Sequence, residues 1–226
     1  MALVPLPPKI LACRMLAHAH PSLLVELGAR IDRHTSLGLI TCDQDDSLYA
    51  ALDHATKFAD VDVVFARSFY AGAAHASGPF SGEILGVLAA ADPDQIEEGV
   101  AALSTALQSE ICFYQVGDKG PAFFPHVIAE TGRYLSAQAK ILPGEPLAYL
   151  IAPPLEAQIG LDAALKAADV HMVRYFPAPS ETNFAGAYLT GNLPAVQAAA
   201  QAFTDAVTDV ATHPLYHLRR PNYRRR

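Results

Sequence analysis

The sequence predicts an α/β (α+β) fold made of two tandem copies of one domain. Internal repetition is the first reason. Residues 53–64, DHATKFADVDVV, and residues 162–173, DAALKAADVHMV, share seven of twelve positions at an offset of 109. Local patterning is the second: in both copies apolar residues at helical spacing run into a short strand across a turn of one or two residues. Composition supplies the third. With 226 residues, 51% apolar and 17% charged, the chain can bury a sizeable core and is not a disordered one.

The elements follow in order. A strand is expected at 11–17, a helix at 21–27 and a strand at 37–42. Leu48, Leu52, Ala55 and Ala59 mark a helix over 46–59, and a strand at 61–67 puts Val61, Val63 and Phe65 on one face. After a Gly- and Ala-rich stretch at 68–80 comes a strand at 84–90. Asp92-Pro93 then reads as an N-cap and first helical residue for a helix at 93–109, with Ile96, Val100, Leu103 and Leu107 on its apolar stripe. Gly117 and Gly120-Pro121 suggest a linker at 115–122. The second half is expected to hold a helix at 126–139, strands at 147–152, 170–176 and 184–190, and helices at 155–168 and 193–212. Its last helix starts at an Asn192 cap and carries Val196, Ala200, Phe203 and Val207 at an offset of 100 from the first half's stripe. The change of offset places nine extra residues in the 68–80 loop. The halves therefore divide as domains 1–113 and 114–226.

Charge excludes some functions. The net charge is −7, and five of the 16 basic residues are Arg219, Arg220, Arg224, Arg225 and Arg226. The rest of the chain is strongly acidic, which argues against a nucleic-acid groove. The arginine tail reads as a solvated terminus. No apolar run has the length of a membrane span, and the N-terminal MALVPLPPKI lacks the pattern of a signal peptide. Three scattered cysteines, Cys13, Cys42 and Cys112, form neither a disulfide framework nor a zinc ribbon. A cytoplasmic protein is expected.

No nucleotide-binding, nucleophile-elbow or zinc-protease motif occurs. His18 and His20 share a strand face but have no third ligand in reach, so neither metal nor cofactor is expected. The most unusual polar cluster is Asp43-Gln44-Asp45-Asp46, between a strand and a helix. Helix capping and the helix dipole account for one or two of these carboxylates. A negative site for a small cation is the alternative, and composition leaves both open.

The string at 162–173, with its twin at 53–64, resembles the signature of the bacterial microcompartment (BMC) shell domain, a helix ending in Lys-Ala-Ala-Asp/Asn-Val before a strand. The chain as a whole is similar to the tandem-domain shell proteins of ethanolamine utilisation. SLGLI (36–40), RSFYAGAAH (67–75), AYLIAPPLEA (148–157), PSETN (179–183) and FTDAV (203–207) carry the resemblance, which runs from about residue 12 to 214. The tail from His217 on goes beyond the pattern.

That resemblance implies two circularly permuted BMC domains, a homotrimer forming a pseudo-hexagonal tile, and contact with other shell hexamers. It implies a structural protein of the microcompartment shell, not an enzyme. Lys57 and Lys166 match the family's lattice-edge lysine. Loops around a central, gated pore are implied at Phe69, Tyr70, Ala71, Gly72, Ala73, Ala74 and His75, and at Ser180, Glu181, Thr182, Asn183 and Phe184. Small acid-lined pores that bind ethanolamine are implied at Asp45, Asp46, Glu83 and Phe113. A soluble two-domain sensor of small amines is the competing expectation, and it would not assemble into sheets.

Overall fold

The computed structural model describes residues 2–69, 78–178 and 183–215. The first half contributes β1 (Leu3–Leu6), β2 (Ile10–Leu16), α1 (Pro21–Glu26), β3 (Ser36–Cys42), α2 (Asp45–Phe58), β4 (Asp62–Ser68), β5 (Ile84–Ala90) and α3 (Pro93–Ser109). There follow β6 (Phe113–Val116), β7 (Ala122–Ile128), α4 (Arg133–Ala139), β8 (Leu147–Ala152), α5 (Pro154–Ala167), β9 (His171–Phe176), β10 (Ala185–Thr190) and α6 (Leu193–Thr212).

Two antiparallel sheets result. The first has the order β2-β3-β5-β4; the second has β1-β6-β7-β8-β10-β9. The run β7-β8-β10-β9 repeats the order of the first sheet strand for strand, so the duplication seen in sequence is a duplication of topology. Even an irregularity recurs. Val64 is skipped in the β4–β5 register, where Val63 pairs with Leu88 and Phe65 with Val87. Val173, at the same offset of 109, is skipped in the β9–β10 register. Each is a β-bulge, an extra residue that turns the strand's faces over. The bulge also corrects one expectation: Val61 and Val63 pack into the main core, whereas Phe65 packs on the opposite face with Leu24, Leu37 and Val87.

The capping readings hold. Asp92 accepts the amide of Asp94, and Asn192 that of Ala195, with proline in the first turn of each helix. The expected linker at 115–122 and helix from 126 differ from what forms. β6 and β7 make a hairpin there, and only residues 133–139 of that region are helical. Strand β1 lies in the second sheet, pairing Leu6 with Phe113 across β6. The two halves thus share a sheet at the point where the sequence suggested a boundary.

Residues of α5 and α6 pack with Phe123, Ala148, Leu150, Ala187 and Leu189 on one face of the second sheet. The other face, with Phe124, Ile128, Tyr149, Ile151 and Tyr188, joins α2, α3 and the first sheet in a single core. The first half therefore covers what would be a bare apolar sheet face in the second. No helix among the described residues is long and apolar enough to cross a membrane.

Candidate functional site

The acidic cluster sits where β3 ends and α2 begins. Gln44 is the N-cap residue and makes no side-chain capping bond; Asp45 and Asp46 occupy the first turn, where carboxylates complement the helix dipole. Gln44 instead donates from Nε2 to the Leu6 carbonyl at 2.8 Å and accepts the Ser47 hydroxyl at 2.7 Å. Asp43 turns the other way: its Oδ1 accepts the Lys9 amide at 2.6 Å. Asp45 accepts the Asp46 amide at 2.8 Å. Both Asp45 and Asp46 are 5% exposed, so their charge is held close to protein rather than spread into water.

Glu83 joins them through the sheet. Cys42 at the end of β3 pairs with Ile84 at the start of β5, and the Glu83 amide donates to the Cys42 carbonyl at 2.8 Å. Gly82 makes this approach possible. Its φ is +64°, and a Cβ there would lie 2.0 Å from the Cys42 carbonyl oxygen. The Glu83 carboxyl is half-buried, and desolvation, reinforced by the charges of Asp45 and Asp43, pushes its pKa up to about 7. One carboxyl of the group thus titrates near neutrality.

Phe113 reaches this region through β1, since Leu6, which accepts from Gln44, pairs with it. Its buried ring lies 4.9 Å from that of Phe124 and 6.1 Å from that of Phe184. Phe69 donates its amide to the Glu83 carbonyl at 2.9 Å, and the Ser68 hydroxyl donates to the same oxygen. Two of the expected pore-loop residues, Phe69 and Phe184, therefore touch two of the expected amine-site residues. Asn183 has a left-handed backbone, φ +64°. Tyr70, Ala71, Gly72, Ala73, Ala74 and His75, like Ser180, Glu181 and Thr182, lie outside the described residues, as does the arginine tail.

Lys57 and Lys166 end the repeat-equivalent helices α2 and α5, and both are exposed. Their partners differ. Lys57 donates to the Glu130 carbonyl at 3.1 Å, whereas Lys166 pairs with Asp162 at 2.6 Å on its own helix. Among the described residues no group of three or more His, Cys, Asp or Glu side chains could hold a metal ion.

One participant escaped the sequence reading. Tyr149, in the middle of β8, donates its hydroxyl to Asp46 Oδ1. It stands in the AYLIAPPLEA string, where a lone hydroxyl in an otherwise apolar buried strand was the available signal.

Residues 36–112 match the BMC domain family. A bacterial microcompartment shell protein EutL from Salmonella typhimurium is 47% identical over 210 residues, covering 92% of this chain and 95% of that protein. The crystal structure of EutL from Clostridium perfringens aligns with a TM-score of 0.93 at 46% identity, covering 97% of this chain and all of that one. That of the ethanolamine utilization protein EutL from Leptotrichia buccalis aligns with a TM-score of 0.91 at 46% identity, covering 95% and 99% respectively.

Proposed function

The chain belongs to the EutL family of bacterial microcompartment shell proteins, and from that membership we propose that it works as a trimeric, pseudo-hexagonal tile whose acid-lined pocket binds ethanolamine. It is a structural component of a microcompartment shell, not an enzyme.

Internal symmetry supports the trimer. Two halves of one strand order, bulge included, present similar edges. A head-to-tail contact repeated about a three-fold axis closes such a pair into a ring of six like domains, the halves 1–113 and 114–226 alternating. Lys57 and Lys166 then stand at equivalent edges, where neighbouring shell hexamers would meet the tile.

Ethanolamine binding is supported above all by the approach of Glu83, just before β5, to the acidic first turn of α2 that carries Asp45 and Asp46. A protonated amine offers three N–H donors, which carboxylates accept as charge-assisted hydrogen bonds. An aromatic face such as that of Phe113 adds a cation–π attraction of about 0.5–2 kcal/mol. Calorimetric titration tests the pocket: the double variant Asp45→Asn with Glu83→Gln should lose ethanolamine binding while remaining a trimer, and unchanged affinity would refute the assignment.

A gate at the central pore is the second part of the proposal. The loops expected to line that pore, 69–75 and 180–184, are anchored at Phe69 on the Glu83 carbonyl and at Phe184 beside Phe113. The longer is rich in Gly and Ala, small residues with little apolar side chain to bury, which suits a segment that changes arrangement. Structures of the trimer with and without ligand test this: two loop arrangements are expected, and a single invariant one contradicts the gate.

A further inference from the structure

We infer that Tyr149, supplied by the second half of the chain, is the positioning residue for Asp46 in the amine pocket of the first half and determines how tightly that pocket holds a protonated amine. The inference rests on the reading of Asp45, Asp46 and Glu83 as an amine site.

The two aspartates of the pocket are held by different means. Asp45 is oriented locally, by the amide of the residue that follows it. Asp46 is oriented across 103 residues of sequence, by the Tyr149 hydroxyl. That hydroxyl is itself fixed. Tyr149 is 3% exposed, and its ring is met edge-on by Tyr188 at 4.6 Å and by Phe124 at 5.3 Å, with Phe176 at 6.2 Å. A phenol clamped on three sides has almost no rotamer freedom left, so its O–H points in one direction. Burial and the neighbouring Asp46 carboxyl also push its pKa far above the ordinary tyrosine range, which keeps it a donor at any working pH.

Tyrosine is the donor that suits this task. Lysine or arginine at the same place would orient the carboxylate but cancel the charge a cationic ligand needs. The phenol is neutral. A carboxylate accepts from about four directions, so the phenol can orient it without claiming the whole of its capacity. The pocket is thereby composite: its charge comes from the first half, while the orientation of one aspartate comes from the second. This gives the fusion of two like domains a local consequence beyond closing a ring.

The experiment compares the unaltered trimer with Tyr149→Phe, Asp46→Asn and the double variant, by calorimetric titration with ethanolamine hydrochloride and by near-ultraviolet difference spectroscopy. The chain has nine tyrosines and no tryptophan, so the tyrosine band of that spectrum is free of indole overlap. Tyr149→Phe should weaken binding about tenfold, the scale of a hydrogen bond to a charged group. The double variant should bind no more weakly than Asp46→Asn. Ethanolamine should perturb the tyrosine band of the unaltered protein with the calorimetric isotherm, and both single variants should lose that perturbation. Asp46→Asn leaves the aromatic core intact, so, titrated to saturation so that the ligand is bound but the link to Tyr149 is cut, it decides the matter even where Tyr149→Phe fails to fold. Normal binding by Tyr149→Phe alongside a loss in Asp46→Asn, additive losses in the double variant, or a band perturbation that persists in Asp46→Asn would each overturn the positioning role and leave the pocket standing. Absence of binding by the unaltered trimer would overturn both.

Discussion

The Asp53 carboxylate on α2 accepts the Gly132 amide at 2.6 Å, so a side chain of the first half caps the first turn of α4 in the second. Its other oxygen takes the Leu135 amide at 2.7 Å. Arg133 returns the favour in kind, donating to the Thr56 carbonyl in the last turn of α2 and to the Val61 carbonyl beyond it. Orphan groups at each of these helix ends thus find partners in the other half of the chain.

Asp53→Ala should therefore be costly. It leaves two N–H groups unsatisfied beside a residue only 1% exposed, and each such group costs about 1–3 kcal/mol. Its repeat equivalent, Asp162, is exposed and pairs with Lys166 on its own helix, so Asp162→Ala should change stability by less than about 0.5 kcal/mol. Chemical denaturation of the two variants side by side checks the contrast.

Glu83 makes stability depend on pH. Its pKa is about 7 in the folded chain against 4.5 as the ordinary value, so the folded state holds the extra proton between those limits. Where the folded state binds more protons, stability falls as pH rises. Glu83→Gln should thus gain stability relative to the unaltered protein as pH is raised from about 4.5 through about 7. The gain should level off above that window. Thermal melts of both proteins across the range measure this, and parallel curves would contradict it.

Gly82 and Gly144 separate steric clash from backbone strain. Both have positive φ, but a Cβ at Gly144 meets nothing within 4 Å, whereas one at Gly82 strikes the Cys42 carbonyl. Gly144→Ala should cost about 1–2 kcal/mol, the penalty of a left-handed residue. Gly82→Ala should cost more, and should weaken ethanolamine binding by displacing Glu83. Melting temperatures and titrations of the pair supply the comparison.

Much of the fold could be read from the chain because its halves spell out one pattern twice. Helices α2 and α5 and the caps at Asp92 and Asn192 needed only periodicity and local chemistry. What escaped has a physical cause. β1 is four residues long and contains Pro5, a combination suited to an edge strand and nearly free of periodic signal. β7, AFFPHVI, is packed on both faces, so it shows no alternation to set it apart from the linker expected up to 122 and the helix expected from 126. The bulges at Val64 and Val173 leave no mark in the alternation that suggested a single face. In the site, Asp45 and Asp46 announce themselves as neighbours. Glu83 and Tyr149 reach them only through sheet pairing and core packing, over separations that no local pattern encodes.

Sedimentation of the purified chain, followed by electron microscopy of concentrated protein, tests the shell-tile reading most directly. A species of three chains that images as a six-lobed disc and packs edge to edge into sheets is expected. A monomer, or a small oligomer that never forms sheets at any concentration, would contradict it.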